Sequence, residues 1–214
     1  MFITLEGPEG GGKTTHIKAL ANYLSERGYK VYRTCEPGGT PISDQIRDVL
    51  KNINNTAMHP RTEILLFCAA RAQLVEEVIR PTLADGNLVL SDRYADSTLA
   101  YQGYGHGVDR GILRQLLNFA TGGRWPDLTL LLDIDVEEGL QRKAVQAIDW
   151  NRFEDHYQLE FHRRVRAGYL ELAHQEPNRW RIIDAGQTWE AVQDELRRVT
   201  VEFLEQQNQE RPQV

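Results

Sequence analysis

Short apolar runs alternate with longer, helix-spaced apolar stripes along this chain. The runs are Phe2-Ile3-Thr4-Leu5, Tyr29 to Thr34, Asn87-Leu88-Val89-Leu90, Leu128 to Leu132 and Trp180 to Ile183. Most lack an in-out alternation, which reads as strands buried on both faces. Between them the period becomes that of a helix. Thr15 to Arg27 carries Ile17, Leu20, Ala21 and Leu24 on one side, with Gly28 placed as a C-cap. Ile42 to Leu50 groups Ile42, Ile46, Val49 and Leu50. A long helix opened by Pro60 runs from Thr62 to about Ala84, with Ile64, Phe67, Cys68, Leu74, Val75 and Val78 in one stripe. Arg80-Pro81 inside that pattern predicts a kink or an early end. Strands alternating with helices predict an α/β fold, a five-stranded parallel sheet with helices on both faces. Ligands of such sheets bind beyond the carboxyl ends of the strands, where Gly7, Glu36, Asp92, Asp133 and Asp184 fall.

The turn after the first run, Gly7-Pro8-Glu9-Gly10-Gly11-Gly12-Lys13-Thr14, fits G-x-x-x-x-G-K-[ST] at every fixed position, between a predicted strand and a predicted helix. Its glycines let backbone N–H groups turn inward around an anion, and the helix that begins near Thr15 points the positive end of its dipole at the same place. Lys13 is set to reach the β- and γ-phosphates of a nucleotide, and the Thr14 hydroxyl to hold Mg²⁺. Asp92-Arg93 adds a carboxylate that can hold Mg²⁺ and a guanidinium that can fork onto a phosphate, with an ordinary strand-end salt bridge as the alternative. Asp133 and Asp135 compete for the metal role, or cap a helix. Arg71 sits four residues after Phe67 and four before Val75, within the apolar stripe. A guanidinium there needs a partner, because an unpaired desolvated charge costs several kcal/mol. Phe67, one turn away, can stack on a flat ring while Arg71 donates to its edge; the two suggest a base pocket, against the alternatives of a buried structural ion pair or a snorkelling arginine. Ser97, Thr98, Tyr101 and Gln102 have the spacing of a short helix beside the phosphates, and Tyr101 to Gly107 reads as a flexible polar loop.

Composition narrows the setting. A chain of 214 residues suits one domain, taken as 1–204 with a frayed polar tail over 205–214. The net charge of −6 argues against a non-specific nucleic-acid or membrane binder. Cys35 and Cys68 stand alone, and the six histidines have no metal-ligand spacing, so a reducing cytoplasm is the simplest setting. The first strand begins at the N-terminus and no apolar run approaches 18 residues, so the reading is a soluble, unprocessed chain with no membrane span. Charge concentrates between Val136 and Tyr169. Arg142, Lys143 and Arg152 flank a break at Ala147 to Asn151 and read as a lid over about 142–154 that brings cations to a transferring phosphate; Arg163 to Arg166 reads as a solvated face.

Five blocks in order resemble bacterial thymidylate kinases from residue 1 to about 204: Glu-Gly-x-Glu-Gly-x-Gly-Lys-Thr-Thr from Glu6, Glu-Pro-Gly-Gly-Thr from Glu36, Leu-Phe-x-Ala-x-Arg from Leu66, Asp-Arg-Tyr-x-x-Ser-x-x-Ala-Tyr-Gln from Asp92 and Arg-Phe-Glu from Arg152. The resemblance implies a P-loop NTPase three-layer sandwich with a short lid, transfer of the γ-phosphate of ATP to dTMP in dTTP biosynthesis, Mg²⁺ as cofactor and a cytoplasmic homodimer. It implies ATP at Gly7, Pro8, Glu9, Gly10, Gly11, Gly12, Lys13, Thr14 and Thr15, with Gln187 in a loop against the adenine. For dTMP it implies Phe67 stacked on thymine, Arg71 donating to O4, Arg93 on the acceptor phosphate, and Glu36, Thr98, Tyr101 and Gln102 around the base and sugar. Thr14 and Asp92 would hold the metal, and the catalytic set would be Lys13, Arg93, Arg142, Arg152 and Glu9. The family position also hints that Pro37 is cis.

Two departures stand out. Cys35 replaces an arginine common in the family before Glu-Pro-Gly-Gly-Thr, and the lid supplies two cations at Arg142-Lys143 where many members alternate several arginines. Arg142 and Arg152 are preferred to Lys143 as the lid cation because a planar fork bridges two phosphate oxygens, with Arg47 or the Arg163 to Arg166 cluster as the source of positive charge if the lid supplies none. Another nucleoside monophosphate kinase would differ mainly at Phe67 and Arg71. A P-loop switch or regulatory ATPase is the reading from another class, and no guanine-reading Asn-Lys-x-Asp accompanies it.

Overall fold

A computed structural model describes residues 1–146 and 159–210. Its strands are β1 (Phe2–Glu6), β2 (Val31–Cys35), β3 (Leu88–Asp92), β4 (Leu128–Asp133) and β5 (Trp180–Asp184), paired in parallel in the order β2-β3-β1-β4-β5. The helices are α1 (Lys13–Glu26), α2 (Pro41–Lys51), α3 (Pro60–Leu74), α4 (Arg80–Ala84), α5 (Ala95–Thr98), α6 (Arg110–Thr121), α7 (Val136–Gln146), α8 (Leu159–Gln175) and α9 (Trp189–Glu210). The expected parallel sheet is present, and both of its faces are covered.

Successive residues of the central strand feed opposite layers, as a period of two requires. Ile3 and Leu5 pack with Ile17, Leu20 and Leu24 of α1 and with Val192 and Leu196 of α9. Phe2 joins the other layer with Leu74, Leu113, Leu117, Val165 and Tyr169, from α3, α6 and α8. Helix ends follow their local chemistry. The Thr40 hydroxyl accepts from the Ser43 N–H with Pro41 in the first turn, and Asp109 accepts from the Ile112 N–H. Past α1, Gly28 takes φ 87°, and the Tyr29 N–H donates back to Leu24 O at 3.1 Å. In the register, Leu5 and Cys35 both lie opposite Asp92, which brings the ends of β1, β2 and β3 to one level.

Three local expectations are corrected. The long helix neither ends nor simply kinks at Pro81: α3 passes through a π-type segment, Val75–Ile79, into α4, with Pro81 in the first turn of α4. A widened turn suits the proline ring and its missing donor. The segment expected to be a flexible loop is also helical, Leu99–Gly105, with Gln102, Gly103 and Gly105 buried. Its glycine serves close packing on α8, since a Cβ on Gly105 would lie 2.5 Å from the Phe161 ring. The expected frayed tail instead continues α9 to Glu210, because Glu and Gln are good helix formers and no breaker precedes Pro212. Among the described residues no helix is long and apolar enough to cross a membrane. Arg152, with the break at 147–151 and most of the expected lid, lies outside the described residues.

Candidate active site

The cradle lies between β1 and α1, at the carboxyl edge of the sheet. Gly12 takes φ 73° and offers no side-chain cap to α1, so the first N–H groups of that helix are left for another acceptor. Lys13 is 7% exposed, and its Nζ donates to Gly7 O at 3.0 Å and Pro8 O at 2.7 Å. Burial and the nearby Arg93 push its ammonium down to about 8. At the mouth of the cradle the Thr14 hydroxyl donates to Asp92 Oδ2 at 2.6 Å. Asp133, the competing carboxylate, accepts both arms of Arg166 at 2.8 and 2.9 Å, and Asp135 accepts from the N–H groups of Glu137 and Glu138 at the start of α7. Asp92 is thus the carboxylate nearest the Thr14 hydroxyl, and the two offer hard oxygen atoms of the kind Mg²⁺ takes.

A cleft of about 440 Å³ opens from the cradle. Its walls include Glu9, Gly10, Gly12, Lys13, Thr14 and Thr15 from the cradle side, and Glu36, Phe67, Arg71, Thr98, Tyr101 and Gln102 farther along. Residues from four separate stretches of sequence therefore converge, three of them just beyond the ends of β1, β2 and β3 and the fourth on α3. Arg71 is 2% exposed and has found the partner its position demands: Nε and Nη2 approach Glu36 Oε2 at 2.8 and 2.6 Å. Nη2 also donates to Tyr94 O at 3.2 Å, and Nη1 to the Thr98 hydroxyl at 3.3 Å. A guanidinium has five N–H donors, so about one Nη1–H remains for a ligand acceptor. Burial pushes the Glu36 carboxyl up and Arg71 pulls it back, while Glu36 Oε1 has no hydrogen-bond partner among the described residues. The two alternatives for Arg71 thus merge: it is ion-paired, and it also lines the cleft. Gln102 Nε2 donates to the buried Glu63 at 2.9 Å, and the Glu36–Pro37 peptide is cis.

Arg93 and Glu9 meet where the cradle joins the rest of the cleft. Arg93 Nη2 donates to Glu9 Oε1 at 2.8 Å and to the Tyr101 hydroxyl at 3.2 Å. Burial alone would raise the Glu9 carboxyl, but Arg93, Lys13 and Lys143 together hold it well below the usual carboxylate range. Lys143 Nζ reaches Glu9 Oε2 at 2.9 Å and lines the cleft. Arg142 is turned elsewhere, donating to Ala185 O at 2.8 Å, Gly186 O at 3.3 Å and Glu138 at 2.5 Å. It thereby braces the loop that carries the exposed Gln187, outside the cleft wall. Neighbours on a helix point about 100° apart, and here Lys143 rather than Arg142 faces the cradle, while Arg152, the other arginine expected there, lies outside the described residues. The cluster at Arg163 is only partly a solvated face, since Arg163 pairs with Glu137 and Glu160, and Arg164 donates to Gly105 O.

Some of the site was not legible in the sequence. Lys51 of α2 also lines the cleft, one turn after Arg47, which the sequence offers as a reserve source of positive charge and whose Nη1 donates to Pro37 O at 2.5 Å; the i, i+4 spacing of the two on the polar side of α2 was the available signal for Lys51. Tyr94 follows Asp92-Arg93 directly and lines the cleft as well.

A family profile described as thymidylate kinase matches residues 5–196. A thymidylate kinase of Herpetosiphon aurantiacus is 49% identical over 220 residues, covering 92% of this chain and 93% of the relative. One of Thermomicrobium roseum is 51% identical over 203 residues, covering 95% of each. The crystal structure of thymidylate kinase from Ehrlichia chaffeensis superposes with a TM-score of 0.75 at 34% identity, covering 94% of this chain and 98% of that one.

Proposed function

The chain belongs to the thymidylate kinase family, and from that premise we infer that it phosphorylates dTMP to dTDP with ATP as donor and Mg²⁺ as cofactor. The observation that carries this reading is the union, in one cleft, of a phosphate cradle around Lys13 and Thr14 with a pocket built on Phe67 and the buried Arg71. Two phosphate chains approach such a cleft, so positive charge must converge on the transferring group. Lys13 meets the donor phosphates, aided by the N–H groups that open α1. Arg93 takes the acceptor phosphate, and Glu9 holds Arg93 at the junction of the two substrates. Lys143 adds charge from α7 above the cradle. The Thr14 hydroxyl and the Asp92 carboxylate suit Mg²⁺, which would offset charge on the donor phosphate oxygens.

Base choice rests on Arg71. Its remaining N–H suits the O4 acceptor of thymine or uracil and cannot accept from the amino group of cytosine. Thymine differs from uracil by one methyl, worth only about 1–3 kcal/mol. The adenine would lie beside the loop of Ala185, Gly186 and Gln187 that Arg142 braces. A cytoplasmic homodimer completes the reading. It is supported by large apolar side chains left in solvent on the adjoining helices α3 and α6: Leu65 is 56% exposed, Ile112 56% and Phe119 89%.

ATP turnover measured with and without dTMP tests the reading, with dCMP as the control acceptor. Turnover that requires dTMP and ignores dCMP is expected. Turnover at full rate without any acceptor would mean a regulatory ATPase instead.

A further inference from the structure

Arg93 presents two edges to two different surroundings. Its Nη2 edge faces Glu9 and Tyr101, which line the cleft and can yield to a ligand. Its Nη1 edge points inward to Gly7 O at 3.3 Å, the Ser97 hydroxyl at 3.2 Å and the Tyr169 hydroxyl at 3.3 Å. Behind those two hydroxyls lies Glu6, fully buried at the end of β1. Glu6 Oε2 accepts from Ser97 at 2.6 Å and from Tyr169 at 2.9 Å. Neither Glu6 nor Tyr169 lines the cleft.

The direction of these bonds gives them their effect. A hydroxyl carries one proton and two lone pairs. The two hydroxyls also stand 2.9 Å from each other. With Glu6 ionised and both protons drawn to it, the lone pairs of Ser97 and Tyr169 are left facing the guanidinium, which can only donate. Glu6 also acts on the backbone, since its Oε1 accepts from the Tyr94 N–H at 2.7 Å. That bond follows the φ of 68° at Arg93, which among the described residues is the one positive φ outside glycine. An arginine in this region is strained and persists only where its surroundings hold it. Burial and the neighbouring Asp96 push the Glu6 carboxyl up to about 7, so a buried acidic group is kept here at some electrostatic cost.

We propose that Glu6 and Tyr169 are positioning residues that fix the inner edge and the backbone of Arg93, so that its outer edge stands ready for the acceptor phosphate. The proposal rests on the reading of Arg93 as the phosphate ligand. It adds two residues that lie behind the cleft wall and stand 163 positions apart in the sequence.

The test compares dTMP with thymidine, which lacks the phosphate, as ligands in calorimetry. Tyr169→Phe removes one hydroxyl and leaves the ring in its packing. It is expected to weaken dTMP about ten-fold, the scale of one hydrogen bond to a charged group, and to leave thymidine binding unchanged. Glu6→Gln is expected to act in the same direction, with the KM for dTMP raised and the KM for ATP unchanged. Arg93→Ala is the control for the underlying reading. If it weakens dTMP and thymidine equally, Arg93 is not the phosphate ligand and the reading itself fails. If Arg93→Ala is selective for dTMP while Tyr169→Phe either changes nothing or weakens both ligands equally with a lower melting temperature, the positioning role is overturned. Should Glu6→Gln not fold, Tyr169→Phe carries the test alone, with the same selective loss of dTMP expected and the same two outcomes overturning the role.

Discussion

Lys13 carries its catalytic charge near the limit of its protonation, because burial and Arg93 bring its ammonium down to about 8. The protonated form is the one that offsets phosphate charge. Activity of the free enzyme, read as kcat/KM for ATP, should therefore fall as pH rises through about 8, while kcat falls at higher pH because bound phosphates favour the ammonium. A flat kcat/KM profile to pH 9.5 would contradict this placement, and Lys13→Ala should abolish transfer with the fold retained. Arg71 poses a different problem, since it is both ligand and buried ion. Removing it alone strands Glu36, and breaking a buried pair costs about 3–5 kcal/mol, so the melting temperature of Arg71→Ala should drop along with dTMP affinity. Replacing the pair together, Arg71→Met with Glu36→Gln, should restore much of the stability but none of the dTMP affinity. If the double variant binds dTMP normally, Arg71 is a structural residue.

The element that most constrains the cradle is α7. A Cβ on Gly139 would stand 2.3 Å from Glu9 O, and one on Gly10 would stand 2.0 Å from Gly139 O. Helix and cradle therefore touch backbone to backbone, and Lys143, one turn on from Gly139, comes down on Glu9. Alanine favours a helix over glycine by about 1 kcal/mol, but a clash against backbone costs about 1–3 kcal/mol, so the clash should win in Gly139→Ala. The variant is expected to melt lower and to transfer phosphate more slowly; a higher melting temperature with normal turnover would show that the contact is idle. In single-turnover kinetics Lys143→Ala should slow the chemical step more than Arg142→Ala, whose effect should appear in ATP binding. Arg152→Ala completes that series, and a larger chemical defect there than at Lys143 would return the role to arginine.

For the whole molecule, the exposed Phe119 and Ile112 of α6 lie seven residues apart, on one face of the helix. An apolar patch of this kind on an otherwise acidic protein suits burial against a second copy. Phe119→Asp should therefore halve the mass in analytical ultracentrifugation. A wild-type monomer, or a variant that stays dimeric, would place the interface elsewhere or remove it.

Much of this architecture is written locally. Strand runs, helix stripes and the Gly7 to Thr14 turn depend on neighbours within a few residues, so period and composition reveal them. The sequence also placed Arg71 in an apolar stripe, where a desolvated guanidinium needs a partner. Tertiary structure decided which group pairs with it: Glu36 is 35 residues away and meets it only because β2 ends beside α3. It likewise turned Lys143 rather than Arg142 toward Glu9, and packed the glycine-rich segment after Tyr101 against α8 as a helix. Tyr169 lies within a charged stretch that gives no local sign of a role, yet its hydroxyl stands 2.9 Å from Glu6, 163 positions earlier. Direction and long-range contact are set when the layers close over the sheet, and no local period encodes them.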